Sequence, residues 1–239
     1  MGQADLHLHT TASDGMMSPG MLLNYVSACT TLDLIAITDH NTTDGWAQAR
    51  DFQARPENDH LRALVLVPGL EISSRDGHIV AIGITRLVPS AMSATETVAA
   101  IHEQGGLALA PHPLAWLPGL KDFAGVAEHF ARLPFDGVET KNSTATEFFN
   151  NWRVMRRNRR LPQPLAEYGG SDAHFLWAVG RTWTEYPGCG WTELRRAFQA
   201  KTTRACGSTW GPASLFQYFQ DRHRWKVFCR KHQVRLSDL

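Results

Sequence analysis

Seven short apolar runs, each ending in polar residues, recur along this chain of 239 residues. They cover residues 4–9, 32–40, 64–73, 78–84, 106–113, 135–142 and 164–174. Segments with helical periodicity lie at 18–29, 93–106, 143–160 and 191–200. Apolar strands that alternate with helices predict an α/β fold with a mostly parallel sheet. Seven strands favour a closed, slightly irregular barrel over an open sheet.

The connection between the third and fourth runs is too short for a parallel crossover. About five residues separate Ile72 from His78, whereas a crossover needs roughly a dozen or more. We therefore expect an antiparallel hairpin. Such a hairpin brings Glu71, near the end of one strand, to the same rim as His78, at the start of the next.

Metal-ligand residue types stand at the predicted strand ends. In a strand at 4–9, His7 and His9 project from the same face, and Asp14 follows in the loop. The other strand ends carry Asp39, His40, Glu71, His112, Glu139, Asp172 and His174, and the hairpin adds His78. Catalytic groups collect at this rim in barrels and open α/β sheets. Histidines mixed with carboxylates suit Zn, Mn or Fe, and no cysteine is among them.

The motifs occur together in the order of a known family. They read DLHLHTTASDG, AITDHNT, PGLEIS, HIVAIG, APHP and GGSDAH, all within residues 5–174. The chain thereby resembles the PHP (polymerase and histidinol phosphatase) family of metal-dependent phosphoesterases. The resemblance implies a distorted (β/α)7 barrel, and we expect a single domain of this type over residues 1–239.

The resemblance also implies a centre of two or three divalent ions, commonly Mn, Fe or Zn. The implied ligands of one metal are His7, His9, Glu71 and Asp172. The second metal is then held by Glu71, as a bridge, with His78 and His112, and the third by Asp14, His40 and His174. Some family members carry a histidine in place of Asp14. A metal-activated water is the expected nucleophile, and we expect Asp14, His40, Glu71 and His174 to take part in catalysis.

Each assignment has a simpler alternative. His7 and His9 could be ordinary strand residues, Asp14 a turn residue in SDG, and His78 a polar strand end. We expect Asp39 to orient a ligand histidine. Two further expectations complete the site: Glu139 and Asn142 support ligands, contact substrate or shape the loop, and Lys141 and Arg181 contact phosphate.

Two basic segments raise the question of nucleic-acid binding. The first is the arginine run 153–160, which we interpret as the solvated face of a helix whose apolar side carries Phe148, Phe149, Trp152 and Met155. The second is a basic, helical C-terminal tail at 212–239, which we expect to pack across the barrel. The alternative is that both segments hold a polynucleotide by stacking and phosphate contacts.

The formal net charge of +1 favours neither a nucleic-acid coat nor a membrane-surface protein. Within the phosphoesterase activity that the resemblance implies, we therefore expect the substrate to be a small phosphomonoester or nucleotide. The alternatives are a 5′–3′ exonuclease on short oligonucleotides, a histidinol-phosphate phosphatase, and a catalytically inactive binding or accessory domain. Metal analysis separates the last from the others.

Cellular location follows from cysteines and hydropathy. The four cysteines, Cys29, Cys189, Cys206 and Cys229, form no Cys-x-x-Cys pair and are expected to be reduced. No signal-peptide pattern is visible, and no apolar run approaches the roughly 20 residues that span a bilayer. We expect a cytoplasmic protein without a membrane partner; the oligomeric state stays open.

Overall fold

A computed structural model describes residues 1–116 and 124–211, together with 213, 214, 216, 217, 220, 221 and 223. In this part of the chain the strands are β1 (Gly2–Asp5), β2 (Leu34–Ile37), β3 (Val65–Ser74), β4 (Gly77–Ile82), β5 (Leu107–Ala110), β6 (Gly137–Asn142), β7 (Ala166–Gly170), β8 (Thr182–Tyr186) and β9 (Arg204–Gly207). The helices are α1 (Pro19–Cys29), α2 (Asp44–Gln53), α3 (Ala94–His102), α4 (Phe148–Asn158) and α5 (Trp191–Ala200).

The strands form one sheet in the order β7-β6-β5-β4-β3-β2-β1-β8-β9. Pairing is parallel from β1 to β3 and from β5 to β7, while β4 is antiparallel to both of its neighbours. The antiparallel hairpin predicted from the short connection is confirmed, with Ser73 opposite His78.

The sheet closes on itself between β1 and β7. Beyond the end of β1, Leu8 pairs in parallel with Ala173, and the Asp172 amide donates to the His7 carbonyl at 2.8 Å. Nearer its start, β1 pairs instead with β8, whose Thr184 hydroxyl donates to the Gly169 carbonyl of β7 at 2.9 Å. The fold is the predicted α/β barrel, distorted and of the PHP type, and strands β1 to β7 form its wall. The sequence analysis did not predict β8 and β9, which fill the gap between β1 and β7.

Apolar side chains from the strands share one buried cluster with α5. Phe198 of α5 packs on Gly137, at the start of β6. Helix α5 therefore closes the end of the barrel where the parallel strands begin. Two further clusters lie between the sheet and the outer helices. The opposite rim, where the parallel strands end, is left for polar side chains.

Serine side chains cap the starts of α1 and α3. The Ser18 side chain accepts from the Met21 amide, and Ser93 forms a reciprocal capping box with Glu96. The predicted tail at 212–239 lies largely outside the described residues. Among the described helices, none combines the length and the apolar character needed to cross a membrane.

Candidate metal centre

All nine residues proposed as ligands come together at the rim where the parallel strands end. They form four overlapping groups whose ligand atoms lie within 4.8 Å of one another. These groups are His7, His9 and Asp172; His7, Glu71 and His112; His40, Glu71 and His78; and His9, Asp14, His40 and His174.

Glu71 lies at the middle of the centre, with its side chain 1% exposed. Oxygen Oε1 is 3.0 Å from His78 Nδ1 and 3.2 Å from His112 Nε2. Oxygen Oε2 faces three further imidazole nitrogens: His7 Nε2 at 3.3 Å, His9 Nε2 at 3.2 Å and His40 Nδ1 at 3.4 Å. Each oxygen thus faces its own set of nitrogens, which is the arrangement that a carboxylate shared between two ions requires.

Two aspartates complete the centre on either side of His9. Asp172 Oδ1 lies 3.3 Å from His9 Nε2 and 3.5 Å from His7 Nε2. Asp14 lies toward solvent, with Oδ2 at 3.1 Å from His174 Nε2 and 3.8 Å from His40 Nε2. The side chain of Asp14 is 51% exposed, whereas that of His9 is fully buried. The Asp14 side is therefore the open side of the centre.

Several imidazole nitrogens are buried without a hydrogen-bond partner. Within the described residues these are His7 Nε2, both ring nitrogens of His9, His40 Nδ1 and His112 Nδ1. The first four lie 3.2 to 3.6 Å from carboxylate oxygens of Glu71 or Asp14 without forming hydrogen bonds. Buried polar atoms are normally satisfied. Lone pairs aimed at shared points among carboxylates fit a cluster of divalent cations.

The carboxylates of the centre are held in their charged form. Burial acts to raise the pKa of Glu71, but the imidazoles of His78, His40 and His7 outweigh it and hold this pKa well below its usual range. The pKa of Asp172 is lowered in the same way, against burial, chiefly by His7 and His9. These carboxylates stay ionised and present negative charge to a cation.

Without metal, the histidines respond to the same charges. Burial alone lowers the pKa of His9, but the neighbouring carboxylates of Asp172 and Glu71 raise it to about 10. His112 behaves alike through Glu71, with a pKa of about 9. His40 is the exception, because burial lowers its pKa to about 4 and the neighbouring imidazoles add to this. In the metal-free centre, protons bound to histidines balance the negative charge of the carboxylates, which cations would otherwise balance.

Backbone strain and close packing accompany the site. His112 and Asp172 have positive φ angles of 25° and 54°, which non-glycine residues rarely adopt and which concentrate at functional sites. Gly170, the last residue of β7, lies two positions before Asp172. A Cβ atom at Gly170 would lie 2.6 Å from Glu139 Oε1 and from His7 Cβ. The second glycine of the GGSDAH motif therefore leaves space for the side chains of His7 and Glu139.

Glu139 and Asn142 of β6 lie directly behind the ligands. Glu139 Oε1 is 3.2 Å from His7 Nδ1, and Oε2 accepts from the His112 amide at 2.8 Å and from Asn142 Nδ2 at 2.9 Å. The same Asn142 amide group donates to Asp172 Oδ2 at 3.2 Å. Both residues thus contact residues of the proposed ligand set.

Asp39 has a different partner from the expected histidine. Its carboxylate accepts from the Thr10 amide and hydroxyl, both at 2.7 Å, and from the Ser13 hydroxyl at 2.6 Å. These bonds order the loop between His9 and Asp14. Asp39 therefore positions Asp14 by way of the loop.

The two predicted phosphate-contacting cations point elsewhere. Lys141 Nζ donates to the Gly207 carbonyl of β9 at 3.1 Å. The guanidinium of Arg181 lies over the indole of Trp177, 5.4 Å from the ring centre, and its Nε donates to the Trp177 carbonyl at 3.3 Å. Within the described part of the chain, no hydrogen bond or ion pair joins either residue to the nine.

Sequence reasoning missed two buried carboxyls near the centre. Asp5 accepts from the amides of Ser171 and Gly180, and burial raises its pKa to about 6. Its i, i+2, i+4 spacing with His7 and His9 was a usable signal. Glu147, just before α4, is 4% exposed, and burial raises its pKa to about 7. No local pattern marks Glu147.

Known proteins resemble the chain in sequence and fold. A family profile described as PHP-associated matches residues 150–203. An uncharacterised protein of Methanocaldococcus jannaschii is 31% identical over 173 residues, which are 67% of this chain and 94% of that protein. A two-domain protein of Bacteroides vulgatus, described as containing a predicted PHP-like metal-dependent phosphoesterase, superposes with a TM-score of 0.60 at 20% identity. That match covers 86% of this chain and 64% of the other.

Two characterised relatives match over shorter stretches. The 5′-3′ exoribonuclease Rnm of Escherichia coli is 42% identical over 84 residues, which are 34% of this chain and 27% of that enzyme. The 3′,5′-nucleoside bisphosphate phosphatase of Chromobacterium violaceum is 31% identical over 102 residues, 41% of this chain and 33% of that enzyme. The chain thus matches about a third or less of either relative's length.

Proposed function

Because the chain belongs to the PHP family of metal-dependent phosphoesterases, we propose that it is a phosphoric ester hydrolase that works with two or three divalent ions, Mn, Fe or Zn. The observation that carries this proposal is the convergence on Glu71 of five imidazoles, with buried nitrogens that have no hydrogen-bond partner in the described structure. Residues that only stabilised the fold would need neither the positive φ angles of His112 and Asp172 nor buried imidazole nitrogens without hydrogen bonds.

The nine ligand residues would share the ions as overlapping groups. His7, His9 and Asp172 suit one ion. Glu71 suits a second through Oε1, which faces both His78 and His112. Asp14, His40 and His174 suit a third, which His9 also reaches. When bound, divalent ions of this kind make water acidic enough to act as a nucleophile near neutral pH and neutralise charge on the phosphate.

The protein side chains define where the substrate enters and what stays fixed. His7, His9 and Glu71 are buried and contact one another, so they form the rigid inner part of the site, away from solvent. Asp14, His40 and His174 have side chains that are 51%, 26% and 27% exposed. We therefore assign the reacting phosphate to the side lined by these three residues. Their ionisable groups would then contact the substrate or its attacking water.

A small phosphomonoester or nucleotide is the first substrate class that we propose. The partial similarity to a nucleoside bisphosphate phosphatase supports it, as does the low net charge of the chain. An exonuclease on short oligonucleotides is the second, supported by the partial similarity to an exoribonuclease. Histidinol phosphate has no separate support.

The proposed location is the cytoplasm. Cys29, Cys189 and Cys206 are free thiols. Free thiols are the usual state of cysteine in a reducing compartment.

The test combines metal analysis with a substrate panel. Purified protein reconstituted with Mn, Fe or Zn should carry two or three ions per chain and release phosphate from at least one class of a panel of phosphomonoesters, nucleoside bisphosphates and short oligonucleotides. Substoichiometric metal after reconstitution, together with no phosphate release, would refute the proposed function.

A further inference from the structure

Helix α4 exposes its aromatic side chains to solvent. Phe148, Phe149 and Trp152 are 61%, 76% and 55% exposed. The helix is held instead by Val154 and Asn158, which are buried. The expectation that the aromatic residues form the packed side of this helix is therefore wrong.

The same face carries unpaired positive charge. With 3.6 residues per turn, residues 148, 149, 152, 153 and 156 lie within an arc of about 140°. Arg156 stacks over the Trp152 ring at 5.1 Å, and Arg153 donates to the side chain of Asn150. Among the described residues, no carboxylate lies within ion-pair distance of Arg153 or Arg156. The helix itself contains no acidic residue.

Two other arginines of the run are engaged elsewhere. Arg157 pairs with Glu128, and Arg159 pairs with Glu167 at 2.8 Å. These pairs fix the helix against the rest of the protein. The remaining face therefore combines aromatic rings with arginines that have no acidic partner in the described structure.

This face begins beside the metal centre. The side chain of Asn151 exchanges two hydrogen bonds of 2.9 Å with the backbone of Asn142. Asn142 in turn donates to Glu139 and Asp172. Phe148 lies one turn from Asn151 on the helix surface. The helix is about 16 Å long, at about 1.5 Å per residue. A ligand that lay along it from the metal centre would therefore be longer than a single phosphate group.

We propose that this face of α4, defined by Phe148, Phe149, Trp152, Arg153 and Arg156, binds a single-stranded oligonucleotide whose terminal phosphate reaches the metal centre. Aromatic rings stack on bases without regard to sequence, and arginines contact the phosphates between them. A protein partner would bury the rings but would leave the arginines without acidic partners unless it were acidic. The inference rests on the proposed function, and it makes the oligonucleotide the extended substrate class.

Binding is measured by fluorescence anisotropy with a labelled, 5′-phosphorylated single strand of about ten nucleotides, within the usual ~4–16 nucleotide range. A chelator is present, so that no turnover occurs. Phe149→Ala/Trp152→Ala should weaken binding by at least about 5-fold, and Trp152→Tyr should retain most of the affinity. Arg153→Ala/Arg156→Ala should lower the log–log salt slope by about 1.4, since each phosphate contact adds roughly 0.7.

The matched controls lie on other surfaces. Arg195→Ala/Arg196→Ala removes the same charge from α5, and Leu87→Ala removes an exposed apolar side chain. Unchanged binding in Phe149→Ala/Trp152→Ala overturns the inference, and so does an equal loss in the α5 control. A dimer in sedimentation that Phe149→Ala/Trp152→Ala dissociates, with oligonucleotide binding unaffected, assigns the face to a second copy of the chain and also overturns it.

Turnover separates the inference from the proposed function. With metal added, Phe149→Ala/Trp152→Ala should hydrolyse a small aryl phosphate at the wild-type rate while losing at least about 5-fold in kcat/KM on the oligonucleotide. If wild-type protein binds the strand as expected but hydrolyses neither substrate with any metal, the proposed function fails and the binding face stands. If it hydrolyses both and the variant loses nothing, the inference fails and the function stands.

Discussion

Replacing Glu139 with glutamine should weaken metal binding although Glu139 is not expected to touch a metal. When His7 acts as a neutral metal ligand, its Nδ1–H donates to Glu139 Oε1, which leaves the Nε2 lone pair aimed at Glu71 and Asp172. The other oxygen of Glu139 accepts from the His112 amide and from Asn142. A carboxylate can accept all three bonds, because it has no proton to donate.

A glutamine at this position cannot do so in either orientation. If its oxygen accepts from His112 and Asn142, its NH₂ group faces His7 Nδ1, and the imidazole must move its proton to Nε2, where the lone pair is needed. If the amide is flipped, its NH₂ group opposes the two N–H donors. An unpaired buried polar group costs about 1–3 kcal/mol. That range matches the loss of about 10- to 100-fold in metal affinity or activity that is typical when a ligand's supporting partner is changed.

The assay is a competition titration of Mn or Zn against a chromophoric chelator, followed by ¹⁵N NMR of the histidine rings in the zinc-loaded protein. Glu139→Gln should show about 10- to 100-fold weaker binding at one ion and a shifted His7 tautomer. The control is Glu167→Gln, which breaks an exposed pair with Arg159 and should leave the metal affinity unchanged. Wild-type affinity in Glu139→Gln, or an equal loss in the control, would refute this reasoning.

Three further outcomes are expected. Glu71→Gln should lose activity and at least one ion in elemental analysis while its circular dichroism stays native; full metal content and turnover would contradict the bridging role. In the metal-free protein, the pKa values of His112 (about 9) and His9 (about 10) lie above the ordinary 6.5, so their stabilisation is complete below pH 6.5 and is lost as the pH rises through 9 to 10. Urea unfolding should show this decline, and a flat profile would argue against it. Gly170→Ala should destabilise the fold by about 1–3 kcal/mol and weaken metal binding, because its Cβ would displace Glu139; an unchanged urea midpoint would contradict the close approach.

The sequence predicted the barrel and the position of its ligands because both depend on local patterns. Apolar runs that end in histidine or carboxylate identify strand and rim together, and a five-residue connection excludes a parallel crossover. The strands β8 and β9 were missed because they lie beyond the last motif. Helix α2 was also missed, and its Thr43 N-cap position makes no side-chain capping bond.

Helix α4 shows where periodicity fails. Phe148, Trp152 and Met155 repeat at i, i+4 and i+7, which is the pattern of a buried stripe. The protein instead buries Val154 and Asn158, since Asn158 exchanges hydrogen bonds with the backbone of Leu165. A polar anchor of this kind leaves no trace in hydrophobic periodicity. For the same reason the role of Asp39 could be placed only once its partners in the loop were seen.

The ring closes between segments that are far apart in the chain. Leu8 pairs with Ala173, about 165 positions later, and a ribosome adds about 5 to 20 residues per second, so the first strand waits about 8 to 33 s for its partner. During that interval His7 and His9 have been made, but Asp172 and His174 have not. The nine ligand residues can therefore come together only after His174 has been made. His9 and Asp172 would both hold an ion here, and such an ion would connect the two ends of the ring and slow its local opening.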